Sequence, residues 1–309
     1  MEKRNIDLFD PKGKCMLTYA LTCCSTADLT PSWLDGIGVR YVFFNYELDG
    51  IPCKDDFGKT HSPKELYACM LKGTTAKTSQ VSIGEYMEFW APLLEAGQDV
   101  LHVTLSSGIS GTYGSACAAR DALRRVFPER RLIVIDSLCA SSGYGLLVDR
   151  MAQLRSAGMG LDDLASWATI HRLEVQHWFF SSDLSFFVRG GRISKVAGVV
   201  GGMLKICPVM NVEADGTLAV KEKIRTKAKA ERRVVALMHQ LARDGDDYAG
   251  KAFICNADCL DDARAVSDMI EAQFPKLDGP VHHFDVGATI GCHTGPGTVA
   301  LFFWGAPRT

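Results

Sequence analysis

Residues 286–302 read VGATIGCHTGPGTVALF, which places His293 and Thr294 directly before Gly295, Pro296 and Gly297 and an apolar run over 298–304. Glycine lacks Cβ, so the backbone around it can approach a ligand closely. A glycine-rich turn opening into a strand can therefore offer N–H donors, a hydroxyl and an imidazole to one small anion. Three other stretches have similar chemistry: Thr78-Ser79-Gln80-Val81-Ser82, the run SSGISGTY at 106–113, and Arg189-Gly190-Gly191-Arg192-Ile193-Ser194. Serine and threonine hydroxyls donate to carboxylate or phosphate without bringing charge. Each stretch alone reads equally well as a turn or a helix cap. Together, each beside an apolar element, they point to convergence on one polar spot.

Other chemistries fit less well. A hydrolase nucleophile at Ser107 or Ser110 would suit G-x-S-x-G, but Gly108-Ile109-Ser110-Gly111 is followed by Thr112. No G-x-x-x-x-G-K-[ST] run is present, which argues against a P-loop for ATP. Eleven cysteines are an odd number with no C-x-x-C pair, so they read as buried free thiols of a reducing cytoplasm, and no metal site is expected. The net charge of −2 gives no basic excess for nucleic acid. The start, MEKRNIDLFDPKGK, has no apolar core of a signal peptide, and no apolar run reaches membrane-spanning length.

The elements that must position these groups follow from periodicity. Strand-like runs at 16–22, 41–46, 100–105 and 132–135 alternate with helical patterns at 64–71, 83–95, 110–125 and 140–157. With no hairpin signal read in this half, the alternation predicts a parallel sheet with right-handed crossovers. The stretches at 78–82 and 106–112 then open helices, where free amides and the helix dipole favour an anion. After about residue 175 the rhythm becomes mixed. Ala214-Asp215-Gly216-Thr217 reads as a hairpin turn, helices follow at 227–243 and 261–274, and strands at 251–256, 281–285 and 299–303. The 309 residues suffice for two domains, 1–175 and 176–309. Phe179-Phe180 and Phe186-Phe187-Val188 read mainly as core, with a tunnel wall as the alternative. Arg192 reads as structural, pairing with Asp136 or the inter-domain backbone, with partner docking as the alternative.

The set TCCSTADL, KTSQVS, SSGISGTYGSA, VIDS, RGGRIS, GMLKICPVM, KEKIRTKAKA and GCHTGPGTVAL, in that order, resembles the DegV family of bacterial fatty-acid-binding proteins over nearly the full length. The resemblance implies an α/β fold with an N-terminal α/β/α parallel-sheet domain, a smaller mixed-sheet second domain and a lipid tunnel between them. It implies no cofactor, a long-chain fatty acid as ligand, and a non-catalytic carrier role beside a separate ATP-binding fatty acid kinase subunit. It also implies transient contact with a membrane surface or an acyltransferase. By motif, the carboxylate-binding candidates are Thr78, Ser79, Ser107, Ser110, His293 and Thr294, with Arg225 and His293 balancing phosphate charge. Cys24 and Asn256 depart from the family pattern, which has aspartate and often histidine there. The stretch 1–14 is longer than the family needs. The competing class is a self-sufficient enzyme, an acyl hydrolase or a phosphotransferase using His293. About fourteen buried methylenes of a C16 acid would supply a gross ~11 kcal/mol, ample for tight binding.

Overall fold

A computed structural model describes residues 19–194 and 206–309. The strand expected at 16–22 is seen from Tyr19 onward, and Cys15, the stretch 1–14 and the start of GMLKICPVM lie outside the described residues. In chain order the first half holds β1 (Tyr19–Cys24), α1 (Pro31–Gly36), β2 (Arg40–Val42), β3 (Asn45–Leu48), β4 (Ile51–Lys54), α2 (Pro63–Leu71), β5 (Ala76–Ser79), α3 (Ile83–Glu95), β6 (Asp99–Thr104), α4 (Thr112–Val126), β7 (Leu132–Asp136), α5 (Ser141–Ser156) and α6 (Leu161–His171). The second half holds β8 (Val175–Ser181), α7 (Ser185–Arg189), β9 (Cys207–Val212), β10 (Leu218–Ile224), α8 (Lys227–Leu241), β11 (Phe253–Asn256), α9 (Leu260–Gln273), β12 (His282–Asp285), α10 (Ala288–Thr294) and β13 (Thr298–Trp304).

Three sheets organise these elements. A parallel sheet runs in the order β2-β1-β6-β7. A six-stranded sheet, β10-β9-β8-β13-β11-β12, is antiparallel except for the β11–β12 pair. Helices α8 and α9 pack on one face of this second sheet. Helix α5 packs on its other face, against β8, β11 and β13. Most of α5 is buried, as expected for a helix held between layers.

The third sheet, β4-β3-β5, is antiparallel and corrects the reading of an all-parallel first half. The apolar run 41–46 divides into β2 and β3, which belong to different sheets. Asp49 and Gly50, both at positive φ (48° and 84°), make the two-residue turn between β3 and β4. Asp-Gly is the dipeptide that such a turn prefers, so the signal was present in the sequence. Helix α6 carries no expectation above. Helix α3 begins at a capping box in which Ser82 accepts from the Glu85 amide and the Glu85 carboxylate accepts from the Ser82 amide. The box occupies the Ser82 and Glu85 amides, and Thr78 and Ser79 lie on β5, not at a helix start.

Candidate functional site

One cavity of about 1000 Å³ lies between the second sheet and the loops of the first half. Its floor follows the two-residue period of a strand: Thr298, Ala300 and Phe302 of β13 line it, with His177 and Phe179 of β8 beside Phe302 and Ala300. The opposite wall comes from Thr78 on β5, Ile109, Ser110 and Gly111 before α4, and Ala140 and Ser141 at the start of α5. Helix α10 closes a third side with Thr289, Ile290, His293 and Thr294. Of the aromatic residues read as core, Phe179 and Phe187 line the cavity and stack on each other with centroids 6.1 Å apart. Phe180 and Phe186 are buried core residues.

The polar groups collect at one end. Thr78 Oγ1 lies 2.8 Å from His293 Nε2. His293 Nδ1 is buried without a hydrogen-bond partner and faces Gly190, where a Cβ would come within 2.3 Å of it. A side chain at position 190 would therefore displace the imidazole. Burial, helped by the nearby Arg192 charge, pushes the His293 pKa down to about 4, so the ring is neutral at neutral pH. A buried orphan N–H is rarer in proteins than an under-satisfied acceptor. That favours the proton on Nε2, donated to Thr78, and leaves the Thr78 hydroxyl hydrogen free to turn toward the cavity. Ser110 is set in the same way: its Oγ accepts from the Thr112 amide at 3.2 Å, leaving its own hydrogen to donate.

Arg192 supplies the charge. Its guanidinium donates to the carbonyls of Ile109 (3.3 Å) and Gly190 (2.6 Å) and lines the cavity. Both are backbone contacts, one of them to the first half of the chain, and Asp136 is otherwise engaged by the amides of Ser107 and Leu138. No acidic side chain among the described residues pairs with Arg192, and the segment 195–205 that follows contains no acidic residue. Burial pushes its pKa down. A half-buried cation without a counter-charge is costly, and an anion in the cavity would relieve it.

The structure brings Thr78, Ser110, His293 and Thr294 to this cavity but not the other candidates. Ser79 and Ser107 are exposed and do not line it. Arg225 is exposed just after β10 and lines a separate cavity with Cys207 and Lys227. The cation beside His293 is Arg192, and His293 itself is neutral, so charge balance by Arg225 and His293 is not what the geometry offers. Gly295 and Gly297 donate their amides to Gly291 O (2.8 Å) and Ala257 O (2.7 Å), so the glycine turn presents no free N–H groups. Residues 288–294 form a helix, because the remote carboxylate of Asp55 accepts from the amides of Ala288 and Thr289 at its start, both at 3.1 Å. No local signal reveals that cap. Among the described residues, no group of three or more metal-ligating side chains is assembled. The ten described cysteines are free thiols, and no helix among the described residues is long and apolar enough to cross a membrane.

Behind Ser110 lies a second, closed polar cluster. Thr112 Oγ1 meets Tyr86 Oη at 2.7 Å, Tyr86 Oη meets Cys24 Sγ at 3.4 Å, and Cys24 Sγ meets His102 Nε2 at 3.6 Å. His102 Nδ1 meets Thr22 Oγ1 at 2.8 Å, and Thr22 donates to Leu101 O at 3.4 Å. The last acceptor fixes every proton. Thr22 donates to the carbonyl, so His102 Nδ1–H donates to Thr22 and Nε2 accepts the Cys24 thiol proton. Tyr86 then donates to sulfur and Thr112 to Tyr86. Burial pushes the Cys24 pKa up to about 12 and that of His102 down to about 3, which keeps both neutral. Cys24 thus joins a satisfied network, while Asn256 ties β11 to β12 and accepts from the Cys259 amide.

A family model described as "Uncharacterised protein, DegV family" matches residues 20–305. The DegV domain-containing protein YteA of Lactococcus lactis is 31% identical over 293 residues, covering 93% of this chain and 97% of the relative. A DegV domain-containing protein of Clostridium perfringens is 29% identical over 290 residues, covering 94% and 98%. Among solved structures, a DegV family protein of Thermus thermophilus described by its fatty acid binding superposes with a TM-score of 0.83 at 26% identity, covering 94% of this chain and all of that one. The fatty acid kinase B3 protein of Streptococcus pneumoniae, loaded with linoleic acid, shares the fold at TM-score 0.82 and 20% identity, covering 94% of this chain and 100% of that one.

Proposed function

This chain belongs to the DegV family, and we propose that it carries one long-chain fatty acid in the cavity between the second sheet and the first-half loops. It presents the carboxylate to a separate ATP-dependent kinase. The observation that carries this reading is Arg192: a half-buried guanidinium, without a carboxylate partner among the described residues, beside a mostly apolar cavity. The acid's carboxylate lies by Arg192 and accepts from Thr78 and Ser110, while the Thr294 hydroxyl donates to Gly295 O at 3.3 Å. The acyl chain runs along Phe179, Ala300 and Phe302. His177 adds no charge there, since Nδ1 donates to Val175 O and Nε2 accepts from the Ala140 amide. The Thermus thermophilus protein, described by its fatty acid binding, supports the ligand class. The Streptococcus pneumoniae kinase-subunit protein supports the kinase link through its shared fold. Neutral hydroxyl donors suit a carrier that must hold both the acid and its acyl phosphate.

Organic extraction and native mass spectrometry of the purified protein should find about one equivalent of a long-chain acid, the single occupant expected of one such pocket. With a cognate kinase and ATP, the bound acid should become acyl phosphate, while the isolated chain turns over neither ATP nor acyl esters. An interior that yields no acid and takes up none when it is added would overturn the reading.

A further inference from the structure

A second cavity of about 600 Å³ lies on the far side of the β12–α10 junction. Leu29, Pro31, Phe57, Pro63, Leu66 and Phe284 make most of it apolar. Val286 lines both this chamber and the main cavity. Around Val286 the dividing wall is thin and tied down. Ser141, on the main-cavity side, donates to the carboxyl of Asp28, on the chamber side. Asp55 holds the amides of Ala288, which lines the chamber, and of Thr289, which lines the cavity. The Val286 amide donates to Asn256 O at 2.9 Å, which fixes the backbone of the wall. Among the described residues, Val286 alone lines both spaces. Val286 lies just before the N-terminal end of α10, whereas His293 is near its C-terminal end, so the two stand at opposite ends of that helix.

We propose that Val286 limits the length of acyl chain this protein accepts, and that the chamber behind it is a latent site for the ends of longer chains. The proposal rests on the fatty-acid reading above. An apolar side chain that stops an acyl chain leaves the next methylenes nowhere to go, whereas a smaller one lets them enter an apolar chamber already present. Burial, with a smaller push from the neighbouring Asp55 and Asp285, raises the pKa of the Asp28 carboxyl at the edge of that chamber, against the hydrogen bond it accepts from Ser141.

The test measures binding of myristate, palmitate, stearate and behenate to delipidated protein by calorimetry. The wild type should favour palmitate or stearate over behenate. Val286→Ala should raise the affinity for behenate relative to palmitate by about tenfold or more, equivalent to two further buried methylenes. Val286→Leu should move the optimum toward myristate. Filling the chamber with Ala288→Phe on top of Val286→Ala should return the ratio to wild type and leave palmitate binding intact. Thermal melts establish that each variant is folded. An unchanged length profile in both Val286 variants overturns the proposal, as does a behenate gain that survives Ala288→Phe. If the wild type binds none of these acids, the carrier reading fails; if it binds palmitate and only the length effects are missing, the carrier reading stands without this inference.

Discussion

Two polar regions of this molecule lie side by side and are finished to different degrees. In the first-half core, the chain from Thr112 through Tyr86, Cys24 and His102 to Thr22 places every proton on an acceptor and ends at a carbonyl. In the cavity, His293 keeps an unpartnered Nδ1, Thr78 and Ser110 each keep a hydroxyl hydrogen to give, and Arg192 keeps a charge without a counter-charge. Buried polar groups are normally satisfied. A closed network therefore reads as structure, and an open one of the same residue types reads as waiting for a partner. The open set is all donors but for one imidazole nitrogen, which defines the partner as an anion.

The largest expected effect follows from the cation. Arg192→Gln keeps hydrogen-bond donors near the carbonyls of Ile109 and Gly190 but removes the charge. Breaking a buried ion pair by removing one partner costs about 3 kcal/mol or more. Palmitate affinity should thus fall on the order of a hundredfold. Stability of the ligand-free protein should hold or rise, since an uncompensated buried charge is lost. A matching loss of ligand-free stability would place Arg192 with the structural network and erase the contrast.

Next in size are the two hydroxyls. Thr78→Val and Ser110→Ala each remove one donor to a charged oxygen, about 1.5–3 kcal/mol. Acid binding should weaken roughly tenfold or more, while binding of the methyl ester changes much less. Equal losses for acid and ester would show that these side chains shape the wall and do not read the charge. The mirror experiment is Tyr86→Phe in the closed network. It strands Thr112 Oγ1 and Cys24 Sγ, at a cost of about 1–2 kcal/mol in stability by chemical denaturation. The acid-to-ester ratio should stay at its wild-type value; a change in that ratio would join the two regions into one site.

The sequence carried the cavity's hydroxyls and its histidine, because glycine, hydroxyl and imidazole groups beside apolar runs mark where strands and helices end. The parallel sheet was equally legible from apolar runs alternating with amphipathic helices. What it did not carry was which arginine matters. Arg192 and Arg225 sit in similar basic, polar stretches, and only the fold places Arg192 against Ile109 O while leaving Arg225 exposed near Cys207. Helix α10 was hidden for a similar reason, since its cap is Asp55, far away in the chain. Tyr86 falls within the helical pattern at 83–95, and periodicity reports burial, not the partner of a hydroxyl. The Asp49-Gly50 hairpin, by contrast, was written locally and lay beneath an apolar run that reads as a single strand.

The smallest effect is the shift that a bound acid should make in one of two buried histidines. Burial holds His102 at about 3 and His293 at about 4, both below the ordinary 6.5. In each case the unfolded chain binds the proton first as pH falls. Stability should therefore decline on acidification from about 6.5, and each histidine's contribution should level off below its folded value. The slope per histidine is at most about 1.4 kcal/mol per pH unit. A bound acid should separate the two. Arg192, the charge facing His293, disfavours its protonation, and a carboxylate beside both would offset that push and raise the His293 value. His102 is enclosed by Thr22, Cys24, Tyr86 and Trp90 and has no face on the cavity. Titration of the imidazole resonances by NMR, with and without palmitate, should show the His293 midpoint moving up and that of His102 staying put. If both moved together, the closed network would be sensing the ligand and the division between the regions would fail. If neither moved, the carboxylate would lie elsewhere than beside His293.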